Sequence, residues 1–190
     1  MKRATYFLII VCIASALIYA WQPAPPLDHK KPGIEWFRKN VPAFIKSLQE
    51  LQASLEALDR KDSFTLIRAA KKLGDCRIQY KKISYLLEYY FPYEATVCNG
   101  PPAPDPEEDE VTAPYGLQVI ESLLYSPDPW RHLPDYAVQT KMMLNAIQKL
   151  SPVIADLNTT DAAFLQSLNL EVVRIITLYI TGFDAPKLKT

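Results

Sequence analysis

A chain of 190 residues with 49% hydrophobic residues carries enough apolar side chains for one full core, which excludes intrinsic disorder and favours a single domain. Lysine plus arginine and aspartate plus glutamate each total 21 with no basic block, so the electrostatic footprint of nucleic-acid binding is missing. Five glycines and little strict apolar/polar alternation argue against an all-β fold, and the 16 prolines mostly punctuate the periodic segments.

Residues 1–20 read as an export signal. Lys2 and Arg3 form a positive n-region, Tyr6 to Ile18 an apolar h-region, and Ala20 before Trp21 a small-residue cleavage point. Cleavage there removes two basic residues and leaves the mature chain with acidic charge in excess. Ala4 to Trp21 also approaches the roughly 18 to 20 apolar residues that span a bilayer, so an uncleaved inner-membrane anchor is the alternative. A lipid-modified Cys12 fits poorly because Val11 before it is too large. Either reading places the rest of the chain in the periplasm. Residues 21–32, proline-rich and polar, form a linker to a helical domain over 33–190.

Ile34, Phe37, Val41, Phe44, Leu48, Leu51, Leu55 and Leu58 step by three and four, which sets them on one stripe of a first helix. Pro42 either kinks this helix or marks its true start. Asp62 or Ser63 caps a second helix, whose stripe is Leu66, Ala69, Leu73, Cys76, Tyr80, Ile83, Leu87 and Tyr90. The two stripes across a short turn predict an antiparallel hairpin. Val97 to Pro114 then reads as a Pro-rich acidic loop, and Pro114 as the residue that opens a short third helix with Leu117, Ile120 and Leu124.

Ser126-Pro127-Asp128-Pro129 stops that helix, and Pro134 opens a fourth through Tyr136, Met143, Ile147, Leu150, Ile154 and Leu157, with Pro152 as a kink. Thr160 or Asp161 caps a fifth, through Leu165, Leu168, Val172, Ile175 and Tyr179 to a stop at Gly182. The fold class is therefore all-α: an antiparallel bundle of about five helices after the N-terminal signal segment. Val172, Val173, Ile175, Ile176, Leu178, Tyr179 and Ile180 nearly encircle the last helix, and a helix apolar all round belongs in a bundle centre or a membrane. Its length and Arg174 oppose a membrane span. It is expected at the centre of the bundle; the alternative is that something outside this chain covers it.

Several residues carry a resemblance. Arg77, Tyr80, Lys81, Asn99-Gly100-Pro101-Pro102, Gly116-Leu117-Gln118-Val119-Ile120-Glu121 and Gly182-Phe183-Asp184-Ala185-Pro186 together resemble the imelysin-like helical region that precedes the haem domains in a group of large bacterial cytochrome c peroxidases. The resemblance covers most of the mature chain and is loosest in the first helix. It implies an exported accessory module that docks with the haem domains of a peroxidase or with a c-type cytochrome. It also leaves open an imelysin-like role in iron uptake, or a truncated peroxidase fragment with no independent function.

No haem is expected in this chain. A c-type haem needs Cys-x-x-Cys-His, and after the signal only Cys76 and Cys98 remain, with Asn99-Gly100 following Cys98. Haem would belong to a partner or to a domain outside this sequence. A Cys76–Cys98 disulfide closes only if the loop runs straight back along the second helix; otherwise Cys76 lies in the core and Cys98 is a loop thiol.

The imelysin family carries Gly-x-His-x-x-Glu, a His and a Glu on one helical face able to share a cation, and here Gln118 takes the histidine position. Gln118 and Glu121 are therefore weak metal candidates. The preferred reading is that they hydrogen-bond to a neighbouring helix through Arg77 or Lys81, because a buried carboxylate must be paired. His29 and His132 lack metal-ligand spacing, no residues form a nucleophilic triad, and Glu107 to Glu110 read as a solvated acidic run, with attraction of a basic partner as the alternative.

Overall fold

The computed structural model describes residues 30–102 and 112–181, and side chains as far as residue 177. The signal segment, most of the linker, the acidic run and the Gly182 to Pro186 segment lie outside the described residues. Those residues form seven α-helices and no strand: α1 (Lys30–Glu56), α2 (Ser63–Lys81), α3 (Ser84–Tyr90), α4 (Pro92–Asn99), α5 (Leu117–Leu124), α6 (Leu133–Ala155) and α7 (Asp161–Thr181). A 3-10 turn, Pro129–His132, leads into α6. The all-α class read from the periodicity holds.

α1 is the element on which the others assemble. Its stripe from Ile34 to Leu55 is buried throughout, and α2 and α6 pack along its two flanks. α2 runs antiparallel to it: Phe44 stacks at a tilt on Tyr80, 5.6 Å between ring centroids, and Glu50 meets Lys72 at 2.6 Å. Lys72 holds the Glu50 carboxyl below its ordinary range by hydrogen bond and charge. On the other flank Arg38 donates to the carbonyls of Ile154 (3.2 Å) and Leu157 (2.7 Å) at the end of α6, where backbone acceptors lack helical partners. Pro42 does not end α1. It lies on the solvent side, where water can serve the freed Arg38 carbonyl, while Val41 and Phe44 on either side are anchored in the core.

The expected second helix is three. α2 stops where Lys82 and Ile83 turn their N–H groups onto the carbonyls of Gln79 (3.2 Å) and Tyr80 (2.9 Å). α3 stops because Pro92 excludes its predecessor from helical backbone; Phe91 takes φ −135°, ψ 58°, and Pro92 begins α4. The apolar stepping shows no gap at either break because Ile83, Leu86, Leu87, Ala95 and Cys98 keep facing one core. Val97 to Asn99, expected in the loop, are the last turn of α4, and Cys98 is a core residue rather than a loop thiol. Other limits also shift. α1 starts at Lys30, inside the expected linker, with Pro32 tolerated in its first turn. α5 starts at Leu117, not Pro114, because Gly116 makes the turn. Asp62 caps α2 by accepting from Phe64 N at 3.0 Å, and Thr160 Oγ1 accepts from Ala163 N at 3.1 Å.

The last helix is not the centre of the bundle. α7 lies against α3 with Ser167, Glu171 and Arg174 turned inward, while Leu165, Leu168, Val172 and Ile175 are exposed by 60%, 38%, 54% and 57%. Its ring of apolar residues allowed either rotation. The polar ties decide: Ser84 Oγ donates to Glu171 (2.8 Å), Tyr89 OH donates to Gln166 (2.6 Å), and Arg174 pairs with Glu88. A buried charge without a partner costs more than an apolar side chain left in water. Among the described side chains of α7, Phe164 is the one packed against the hydrophobic core, edge-on to Tyr85 and over Gly33, where a side chain would collide with its ring. Among the described residues no helix is long and apolar enough to cross a membrane.

Phe44→Ala is expected to lower the unfolding free energy by about 3 to 5 kcal/mol, and Phe64→Ala on the exposed side of α2 to change it by less than about 0.5 kcal/mol. Urea unfolding of both variants checks the assignment of core and surface.

Candidate functional site

Three short segments meet where α2, α4 and α5 converge. Arg77 near the end of α2 is buried, and so are Asn99 at the end of α4 and Gln118 and Glu121 on α5. The Arg77 guanidinium donates to Asn99 Oδ1 (3.3 Å) and to the Leu117 carbonyl (3.4 Å), and forms an ion pair with the Glu121 carboxylate. Gln118 Nε2 donates to the same Asn99 oxygen at 3.2 Å. Spacing explains the α5 contribution: residues 118 and 121 share one helical face, which is turned toward Arg77. Of the motif residues singled out in the sequence, Arg77, Asn99, Gln118 and Glu121 therefore form a buried polar network, and Glu121 binds Arg77. Lys81 sits exposed at the end of α2.

Two glycines bring these segments close enough. Gly116 has φ +60°, and a Cβ there would overlap the carbonyl oxygens of Val97 and Cys98. No other residue lets the start of α5 rest on the end of α4. Its N–H donates to Gln139 Oε1 at 2.9 Å, which ties the junction to α6. At Gly100 a Cβ would come within 2.6 Å of the Thr96 carbonyl oxygen. The Gly100 carbonyl accepts from Tyr115 N at 2.9 Å, so the segment between the two glycines is closed at its base.

Beside this network lies a cleft of about 410 Å³, bounded by α4 and α7. Tyr80, Asn99, Gly100, Pro101 and Gln118 line it, joined by Glu88, Val173 and Arg174. Tyr80 OH donates to Glu88 Oε1 at 2.9 Å, and Glu88 also takes the Arg174 guanidinium, which lies 3.9 Å from Glu171. Burial pushes the Tyr80 phenol well above its ordinary range, so it stays a donor. Sequence reasoning missed Glu88 and Glu171. The signal was Arg174 itself, because a cation inside an apolar run requires a carboxylate nearby.

The side chains at this junction hold one another. Gln118 and Glu121 are both engaged, and among the described residues no group of three or more His, Cys, Asp or Glu is placed to hold a metal ion. His132 meets Asp135 at 3.0 Å on the surface. Cys76 and Cys98 are both buried free thiols; burial pushes Cys76 up to about 12, and burial together with the neighbouring Cys76 pushes Cys98 up as well. Neither is a nucleophile at neutral pH, because the reactive species is the thiolate.

No protein-family model matches the chain, and no curated protein and no solved structure matches it.

Glu121→Gln is expected to cost about 3 to 5 kcal/mol of unfolding free energy by stranding the buried Arg77 charge, whereas Arg77→Met with Glu121→Leu recovers most of it. Urea unfolding with the single and double variants tests the pair. In the folded chain at pH 8, iodoacetamide is expected to leave Cys76 and Cys98 unmodified and to alkylate both after denaturation. Peptide-resolved mass spectrometry reads this directly, and a disulfide-linked peptide would contradict it.

Proposed function

We propose that this chain is an exported, non-catalytic helical module that docks a partner protein through the outer face of α7. The observation that carries the reading is the rotation of that helix. Leu165, Leu168, Val172 and Ile175 follow the three-four spacing of a helix-packing seam and face water, while Ser167, Glu171 and Arg174 face the bundle. Such a face favours a helical partner surface. The partner class comes from the resemblance, which implies the haem domains of a bacterial cytochrome c peroxidase or a c-type cytochrome in periplasmic electron transfer and peroxide reduction. The motif network has a supporting role in this reading: it sets α4 and α5 and with them one wall of the cleft beside α7. Haem and peroxide chemistry belong to the partner. The iron-uptake alternative draws no support from Glu121, whose carboxylate binds Arg77.

The test is titration of the fluorescently labelled chain with purified haem domains of such a peroxidase, read by anisotropy. Saturable binding is expected, weakened at least about tenfold by Val172→Lys, which sets a charge in the middle of the apolar seam. Absence of binding, or equal binding by Val172→Lys, would reject the reading.

A further inference from the structure

We infer that the outer face of α2 is a docking surface for an anionic lipid bilayer. This face is separate from the α7 seam and differs from it in kind. Phe64, Ile67 and Ile78 are exposed by 72%, 63% and 57%, among the most exposed large apolar side chains of the chain. Positions 64, 67, 71, 74 and 78 step by three and four, so these residues share one side of the helix with exposed Arg68 and Lys71. Exposed Arg60 and Lys61 continue the basic character into the preceding turn. Gly74, midway along the face, has nothing within 4 Å of where a Cβ would stand, which marks open surface.

The charge on this face is unspent. Among the described residues none of the side chains of Arg60, Lys61, Arg68 and Lys71 forms an ion pair, whereas Lys72 at the edge is taken by Glu50. The nearby carboxylates offset it only in part. Asp59 and Asp62 accept from the backbone N–H groups of Lys61 (2.9 Å) and Phe64 (3.0 Å), and Asp75 is the single acidic residue of α2.

The interleaving of apolar and basic side chains selects the occupant. An apolar protein groove receiving Phe64, Ile67 and Ile78 would have to desolvate Arg68 and Lys71, which lie between Ile67 and Ile78 along the helix. A bilayer surface accommodates both kinds at once: the apolar tips enter the acyl boundary while the long basic side chains reach back to the phosphates. Acidic headgroups supply the countercharge. Side-on docking through α2 leaves the stripe that packs on α1 untouched.

The experiment is co-sedimentation of the full chain with vesicles of equal parts phosphatidylglycerol and phosphatidylcholine, beside vesicles of phosphatidylcholine alone. Residues 1–20 are the same in every variant, so differences between variants report on α2. Each basic residue near an anionic surface is worth about fivefold in partitioning, so Arg68→Glu with Lys71→Glu is expected to lower it at least about 25-fold. Phe64→Ser with Ile67→Ser is expected to lower it by about tenfold or more, and Lys141→Glu on the exposed side of α6 to leave it unchanged. All the substituted side chains are exposed, and an unchanged thermal melt confirms each fold. Equal partitioning of both double variants and the unaltered chain overturns the inference. So does equal binding to the two vesicle types. Loss in the charge-reversed variant alone, with Phe64→Ser and Ile67→Ser binding normally, replaces the bilayer with another acidic surface.

Discussion

The buried pair between Arg77 and Glu121 is the constraint around which one end of the bundle is arranged. Two charges removed from water recover their solvation only if each finds the other in good geometry with further hydrogen bonds around them. That requirement fixes how α2 meets α5, and the Asn99 oxygen shared by Arg77 and Gln118 extends it to α4. Apolar packing alone would tolerate small slips of short helices such as α4 and α5. A guanidinium that must reach a carboxylate, an amide and a backbone carbonyl together does not, so the polar centre supplies register while the α1 stripe supplies most of the cohesion.

The α7 helix is the converse case. It is tied to the bundle mainly by hydrogen bonds and ion pairs to α3, with Phe164 as its apolar anchor, and it keeps its best apolar stripe outward. A helix bound in that way gains less from the core than α1 does and retains more surface for another macromolecule. The bundle thus has a cohesive side around α1 and a loosely held side at α7.

Much of this was legible in the residues. Three-four stepping located α1, α6 and the hairpin of α1 with α2, and the spacing of Gln118 and Glu121 put both on one face. The search for a carboxylate partner pointed to Arg77 or Lys81, and Arg77, 44 residues away in the chain, is the one that binds Glu121. What escaped had physical reasons. α3 and α4 are too short to show a period of their own, and because both continue the same core the breaks at Ile83 and Phe91 left no trace in hydrophobicity. Cys98 looked like a loop residue because Asn99-Gly100-Pro101-Pro102 follows it, yet those residues end a helix. The rotation of α7 was beyond reach because its apolar residues ring the helix and the deciding contacts come from Ser84, Glu88 and Tyr89.

The two glycines at the α4–α5 junction bear on how this chain tolerates change in length. Gly100 and Gly116 are held at their backbones, the first by Thr96 and Tyr115 and the second by Gln139, so the chain on either side of residues 103–111 is brought together by contacts that those residues do not make. Closing a longer loop between fixed ends costs only about 0.6 kcal/mol for each doubling of its length. An insertion between residues 102 and 112, whose flanks are anchored in this way, therefore disturbs the polar centre little, and a foreign sequence or a label is readily carried there.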